Sequence, residues 1–355
     1  MKEYNFKIES IYIEITNKCN FYCKTCYNNS LNSNNIFLTF DDFVHIVNEG
    51  IKLGCKIVYF SGGEPLLNKH IWDMIAYCSA KDITPVLVTN GSLLTEENII
   101  KLIKFNVPIQ ISLDGYDKYT NDVIRGEETF DKVTKSLNLL RKYNHNSSTK
   151  IRCTLNKWNS KDLHKYIELA KMYSVHELSF GWMAPIGRGL DCFQEAGIYE
   201  DYYTLYKEVN NLKRSHESNS LIIGQMELIN CCPMLEDMES YIKLNIRITP
   251  QQDVCLCQRI STCNEILGNT KTSRLSDIIY SDKTNELLKK LLDRKYLNIN
   301  NCGKCFINSV CKRGCPGLAY QNGNVLGTDS FCESRKKLFI ELLKNNRKKE
   351  YGSIF

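Results

Sequence analysis

The sequence predicts an α/β fold: a parallel sheet of six βα units forming a partial barrel, followed by a small, loop-rich unit with a β-hairpin. Three observations carry this. The first half of the chain alternates apolar strands with amphipathic helices. The alternation stops after Pro185, and from Cys255 to Cys332 the chain is cysteine-dense and poor in regular elements. Six units in about 180 residues suit a barrel open on one side, because a closed eight-unit barrel takes about 250.

Each element has its own signal. Ile11, Ile13 and Ile15 recur at period two, as on one face of a strand. Thr39 can cap a helix carrying Phe43, Ile46, Val47 and Ile51 that stops at Gly54. A strand over 56–61, a helix over 70–81 and a strand over 84–90 follow. Thr95 with Glu96 and Glu97 opens a helix over 96–105. Strand 109–113, helix 130–143, strand 151–156, helix 162–173 and strand 177–180 complete the series. Beyond lie a Gly187-Arg188-Gly189 turn, a Tyr-rich helix near 201–213 and a hairpin over 243–257. One helix over 275–293 and a basic amphipathic helix over 334–350 end the chain. The expected divisions are a barrel (1–185), a bridging region (186–242), a cysteine-rich domain (243–335) and a C-terminal helix (336–355).

With 355 residues, 43% of them hydrophobic, the chain can bury a core without covalent staples. No apolar run approaches the roughly 20 residues of a membrane span. Residues 1–9 lack the apolar centre of a secretory signal. A cytoplasmic location is therefore expected, where thiols stay reduced. The 17 cysteines then point to metal rather than to disulfides. The net charge of +6 is mild and dispersed, so neither a nucleic-acid nor a membrane partner is expected.

Cys19, Cys23 and Cys26 form a C-x3-C-x2-C set directly after the first strand, where the loops of a βα barrel build active sites. Three thiolates on one loop can hold three irons of a cubane cluster and leave the fourth open to a small molecule. A zinc loop is the competing reading. In strand order follow Gly62-Gly63-Glu64-Pro65, Thr89-Asn90-Gly91, Ser112-Leu113-Asp114-Gly115, Ile124-Arg125-Gly126 and Thr154-Leu155-Asn156.

With these motifs the sequence resembles the radical S-adenosylmethionine (SAM) superfamily, whose barrel is a partial TIM-like one. The resemblance implies that Cys19, Cys23 and Cys26 carry a catalytic [4Fe-4S] cluster. It implies that Gly62, Gly63, Glu64 and Pro65 receive the SAM methionyl group, the glycines by close backbone approach and Glu64 by accepting from the amine. It gives Ser112 and Arg125 to the SAM carboxylate or ribose, since an arginine fork fits two oxygens. Asn90 and Asn156 complete the expected cofactor contacts. Thr25 departs from the pattern, which often has an aromatic residue before the last cysteine.

Cys302, Cys305, Cys311 and Cys315 give C-x2-C-x5-C-x3-C, with Cys332 beyond. This resembles the SPASM domain, which carries auxiliary [4Fe-4S] clusters; a zinc ribbon is the competing reading. The resemblance implies that Cys302, Cys305, Cys311 and Cys332 hold one auxiliary cluster and that Cys315 crosses to another. For that other site Cys255 or Cys257 can begin the pattern and Gly268 fits its glycine, but Ser273 stands where a cysteine is expected. The simplest set is Cys255, Cys257, Cys263 and Cys315, with Cys231 and Cys232 as further candidates. One or two auxiliary clusters are thus expected. Three clusters on eleven thiolates would bring the net charge to about +1. Residues 183–189 are similar to the family's link between barrel and SPASM domain.

The resemblance implies an enzyme. A flavodoxin- or ferredoxin-type donor reduces the first cluster, and SAM is cleaved to methionine and a 5′-deoxyadenosyl radical. The radical then takes a hydrogen atom from a peptide or protein, for cross-linking, epimerisation or oxidation. Sulfatase maturation to formylglycine, small-molecule dehydrogenation and haem-type cofactor maturation are alternatives on the same scaffold. An iron–sulfur electron carrier is the non-enzymatic alternative, and the GGEP motif and Arg125 speak against it. Only 18 residues precede Cys19, so leader recognition is expected from a separate partner protein or from direct contacts. Cys192, Cys231 and Cys232 are candidate hydrogen-atom donors. Cys55, Cys78 and Cys153 read as packing thiols.

Overall fold

A computed structural model describes residues 5–30, 34–198, 202–216, 221–224, 235–237, 241–261, 265–294, 302–309, 311, 313–321 and 324–351. The first half follows the expected alternation: β1 (Phe6–Thr16), α1 (Phe40–Lys52), β2 (Ile57–Gly62), α2 (Ile71–Ala80), β3 (Thr84–Thr89), α3 (Glu96–Lys104) and β4 (Ile109–Ser112). Then come α4 (Lys118–Arg125), α5 (Thr129–Lys142), β5 (Thr149–Leu155), α6 (Leu163–Met172) and β6 (Glu177–Trp182). The second half contains α7 (Phe193–Ala196), α8 (Tyr202–Ser215), β7 (Ile222–Gly224), β8 (Leu235–Asp237), β9 (Ile242–Ile248), β10 (Asp253–Cys255), α9 (Gln258–Ser261) and β11 (Gly268–Asn269). It ends with α10 (Leu275–Ile279), α11 (Asp282–Asp293), α12 (Pro316–Gln321) and α13 (Cys332–Tyr351).

The caps read from the sequence are present. Thr39 accepts from Asp42 N at 3.1 Å, and Thr95 accepts from Asn98 N at 3.2 Å. Ile11, Ile13 and Ile15 are fully buried in one core with Phe43, Ile46 and Val58. The alternate residues of β1, Tyr12 and Glu14, line the other face, where Tyr12 stacks on Tyr59 and its hydroxyl accepts from Ser61. The sheet therefore has an apolar outer face under the helices and a polar inner face.

The strands form one sheet in the order β11-β10-β9-β1-β2-β3-β4-β5-β6-β7, with β8 paired to β9. The run from β9 to β7 is parallel, and β10, β11 and β8 are antiparallel additions. The sheet thus runs beyond the six expected strands. β7, from the bridging region, adds parallel to β6, and the hairpin strand β9 pairs parallel with β1 from Phe6↔Ile242 to Ile13↔Ile248. Short alternating strands carry no signal for their neighbour, so this pairing was not readable in one dimension.

Two helices differ from expectation. The Ile124-Arg125-Gly126 stretch, to which the sequence reading assigns no element, ends α4, whose N-terminus is a capping box between Asp117 and Thr120. The single helix expected over 275–293 is two. Ser281 leaves helical geometry with ψ 153° and caps α11 by accepting from Thr284 N at 3.2 Å. Among the described residues no helix is long and apolar enough to cross a membrane.

Candidate active site

The cysteine loop leaves the end of β1 and is held from several sides. Gly63 N donates to Thr16 O at 2.8 Å and Glu64 N to Lys18 O at 2.7 Å, so the end of β2 lies directly on the root of the loop. A Cβ on Gly63 would come 2.0 Å from Lys18 O. These glycines are thus required by strand packing, in addition to any role toward a ligand.

Glu64 is fully buried. It accepts from Thr89 Oγ1 at 2.7 Å, Asn90 N at 2.9 Å and Leu66 N at 3.2 Å, and so ties the end of β2 to the end of β3. Burial pushes its carboxyl up to about 7 against these hydrogen bonds. Asn90 Nδ2 lies 3.9 Å from Cys19 Sγ and donates to Asn20 Oδ1 at 2.9 Å.

Arg125, at the end of α4, forms an ion pair with the buried Asp114 at 2.8 Å and places Nη1 3.9 Å from Cys23 Sγ. Asp114 in turn accepts from Thr154 N at 2.7 Å. The motifs ending β4 and α4 are therefore coupled to each other and aimed at the second cysteine. The sequence reading sent the Arg125 fork to a ligand carboxylate and gave Asp114 no role. Ser112 lies half-buried at the end of β4, and Pro65 opens a short 3-10 turn. Asn156 is fully buried and turned into its own loop, where Oδ1 accepts from Trp158 N at 2.9 Å.

The linking segment grips the same loop. Arg188 Nε donates to Cys23 O at 2.8 Å, Nη1 to Ser30 O, and Arg188 N to Cys26 O at 2.9 Å. The guanidinium also stacks on Tyr22, 4.2 Å from its ring centroid. Gly187 sits so close that a Cβ would lie 2.4 Å from Cys26 O. Replacing Arg188 with Ala is expected to loosen the loop and cut its iron by up to about four atoms per chain. Iron analysis after chelator challenge checks this, and unchanged iron would refute it.

A buried ion pair underlies the loop. Arg247 on β9 donates to both Glu14 oxygens at 2.8 Å. Tyr27 and Asn28, just past Cys26, also donate to Glu14, each at 3.1 Å. Neither charged residue was singled out from the sequence; a Glu inside an Ile-rich strand was the available signal.

Burial pushes the Cys19 thiol up to about 11 and Cys23 up to about 12. Such thiols become thiolates when a bound metal supplies the charge. Among the described residues no three of His, Cys, Asp and Glu gather as ligands of a single ion. A cubane takes one thiolate per iron and asks for no such gathering. Three part-buried thiols on one short loop, with a cation and an amide aimed at two of them, fit that group.

The C-terminal cysteines fall into two neighbourhoods. Cys311 and Cys332 act together on the charge of Arg335, while Cys305 and Cys332 act on Lys336. Cys302 opens the turn whose carbonyl accepts from Cys305 N at 3.0 Å. In the other, burial and then the neighbouring Cys315 raise the Cys257 thiol, and Arg259 Nη1 lies 3.6 Å from Cys315 Sγ. Cys255 is buried opposite Arg247 in the hairpin, and burial pushes its thiol up to about 12. Asp329 links the two neighbourhoods by accepting from Cys315 N at 2.7 Å and pairing with Arg335 at 3.0 Å. Cys263, Cys231 and Cys232 lie outside the described residues. Cys192 is half-buried, with its sulfur 3.7 Å from Lys24 O.

The profile of the Radical SAM superfamily matches residues 13–170, the segment that builds this loop and its surroundings. The chain is 27% identical over 336 residues to the AdoMet-dependent heme synthase of Methanosarcina barkeri, covering 90% of this chain and 94% of that protein. It is 29% identical over 332 residues to the mycofactocin maturase MftC of Mycolicibacterium smegmatis, covering 90% and 81%. In fold it is similar to native anSMEcpe with bound AdoMet and the Kp18Cys peptide, with a TM-score of 0.74 at 19% identity over 95% of this chain and 98% of the other. Residues 13–170, which carry the three-cysteine loop and the ends of β2 to β5, thus form a radical SAM domain.

Proposed function

We propose that this chain is a radical SAM maturase acting on a peptide or protein substrate, with one or two auxiliary clusters in its C-terminal cysteine unit. The observation that carries the reading is the three-thiol loop packed against the ends of β2, β3 and α4. Cys19, Cys23 and Cys26 would hold the family's cluster, which with bound SAM would supply the hydrogen-atom abstraction from the substrate.

The chain's own residues do the rest. Gly63 and Glu64 hold the loop root in register with β2, and Arg188 fixes the carbonyls of Cys23 and Cys26. Arg125 sets a positive charge beside Cys23, which offsets part of the cost that burial puts on its thiolate. The substrate would lie against the polar inner face, beside the C-terminal unit, whose Phe331 packs on Trp182 at 4.6 Å. A maturase among the relatives supports a peptide substrate, and a heme synthase supports small-molecule chemistry as the second reading. A groove of about 760 Å³, lined by Tyr22, Lys24, Tyr119, Val123 and Gly126, flanks the loop and suits the approach of a flavodoxin- or ferredoxin-type donor. We include a separate leader-binding protein among its partners, and reduced cysteines favour the cytoplasm.

The test is anaerobic reconstitution, dithionite reduction, and measurement of iron with 5′-deoxyadenosine. About twelve irons with deoxyadenosine formation supports a three-cluster enzyme, and about eight a two-cluster one. Turnover on the product of a short open reading frame found beside the gene, followed by mass spectrometry, separates the peptide reading from the small-molecule one, and the lack of such a frame favours the latter. Loaded clusters with no deoxyadenosine in the presence of that peptide would overturn the reading.

A further inference from the structure

The charges on the inner face of the sheet are largely matched. Lys150 pairs with Glu177 at 2.6 Å, Lys243 with Glu9 at 2.7 Å and Arg247 with Glu14 at 2.8 Å. Arg152, on β5 in the middle of this face, differs. Among the described residues no carboxylate pairs with it. Its Nη1 donates to Phe180 O at 3.2 Å and lies 3.4 Å from Ser179 Oγ, both neutral partners. The acids whose fields reach it are already engaged, Asp114 by Arg125 and Glu177 by Lys150.

The side chain is nonetheless held in place. Arg152 Nη2 lies against Gly181, where a Cβ would come within 2.2 Å. Any side chain at position 181 would displace the guanidinium. The next residue, Trp182, carries a second cation, because Arg259 stacks on its ring at 3.8 Å from the centroid. Burial, and then the charge of Arg259, depress Arg152 below the usual arginine range. A guanidinium that is half-buried, positioned and, among the described residues, without an acid partner is the arrangement that receives an anion from outside, and its fork fits a carboxylate.

We propose that Arg152, with Arg259 adding positive charge, receives a free carboxylate of the substrate at β5 and β6 on the inner face of the sheet. This rests on the peptide reading only for the substrate being a peptide. On that reading the substrate presents a C-terminal carboxylate or an Asp or Glu side chain to Arg152.

The experiment is equilibrium dialysis on the reconstituted, SAM-loaded enzyme, with radiolabelled phenylacetate as probe and phenylacetamide as its neutral twin. Wild type is expected to bind the acid at least about tenfold more tightly than the amide. Arg152→Gln is expected to lose that preference, and Arg152→Lys to keep part of it. SAM affinity should stay within about twofold in both variants. Equal binding of acid and amide by wild type would overturn the proposal without reference to any variant. A loss of about tenfold in SAM affinity in a folded Arg152→Gln or Arg152→Lys would also overturn it, assigning the guanidinium to the cofactor's own carboxylate. Iron content and near-ultraviolet circular dichroism verify folding. Because binding is read rather than turnover, failure here is distinct from failure of the maturase reading, which shows in deoxyadenosine.

Discussion

Cys23→Ala is expected to abolish 5′-deoxyadenosine formation, by at least about a thousandfold, and to remove about four irons per chain. Cys23 is the middle thiol of the loop. Its carbonyl is held by Arg188 and its sulfur faces Arg125. Burial pushes the thiol up to about 12, so the protein by itself does not favour the thiolate. Loss of this sulfur removes one of three iron anchors and leaves the Arg125 charge facing an apolar methyl. The C-terminal cysteines are remote in sequence and keep their own neighbourhoods, so their iron should remain. Iron analysis and chromatographic detection of deoxyadenosine check both parts. Full iron with turnover in Cys23→Ala would refute the assignment.

Arg247→Ala is expected to destabilise the fold by about 3–5 kcal/mol, because it leaves Glu14 charged, buried and without its main partner. Glu14 has no exposed surface and Arg247 only 7%. Burial works against the arginine's charge, but the Glu14 carboxylate outweighs it and raises Arg247 further above its ordinary range. The pair also ties β9 to β1 and, through Tyr27 and Asn28, to the chain just after Cys26. The loss should therefore appear both as a lower urea midpoint and as weaker iron retention at the first site. Removing both charges with Glu14→Gln and Arg247→Met should recover much of the stability, since the cost comes mainly from the orphaned charge. An unchanged midpoint in Arg247→Ala would show that the pair carries little.

The contrast between Cys23 and Arg247 shows what was legible. Cys19, Cys23 and Cys26 lie within one loop, and their spacing is a property of the chain, so they were found without coordinates. The same holds for Thr39 and Thr95, whose caps act over three residues. Glu14 and Arg247 are 233 positions apart and meet only because β9 pairs in parallel with β1. No local pattern encodes that register.

Arg125 lies between these cases. Its motif was recognised, but its partners were not. The capping box at Asp117 and Thr120 makes the preceding stretch a helix, and that helix points Arg125 at Asp114 and Cys23. Arg188 was read within a linking segment, yet it acts as the clamp on the cysteine loop across 165 positions.

By itself the sequence determined the βα alternation, the three-cysteine loop, the order of the motifs and the existence of a cysteine-rich second half. These rest on periodicity, capping and short spacings, which are one-dimensional signals. Only the tertiary structure decided that the hairpin strand β9 continues the barrel sheet and that Glu14 is paired. It also decided that Glu64 ties strand ends together and that Arg152 has no acid partner among the described residues. Each of these depends on which distant side chains are buried side by side. In a buried setting a charge is costly until a partner meets it, and which partner does so is settled by packing rather than by local sequence.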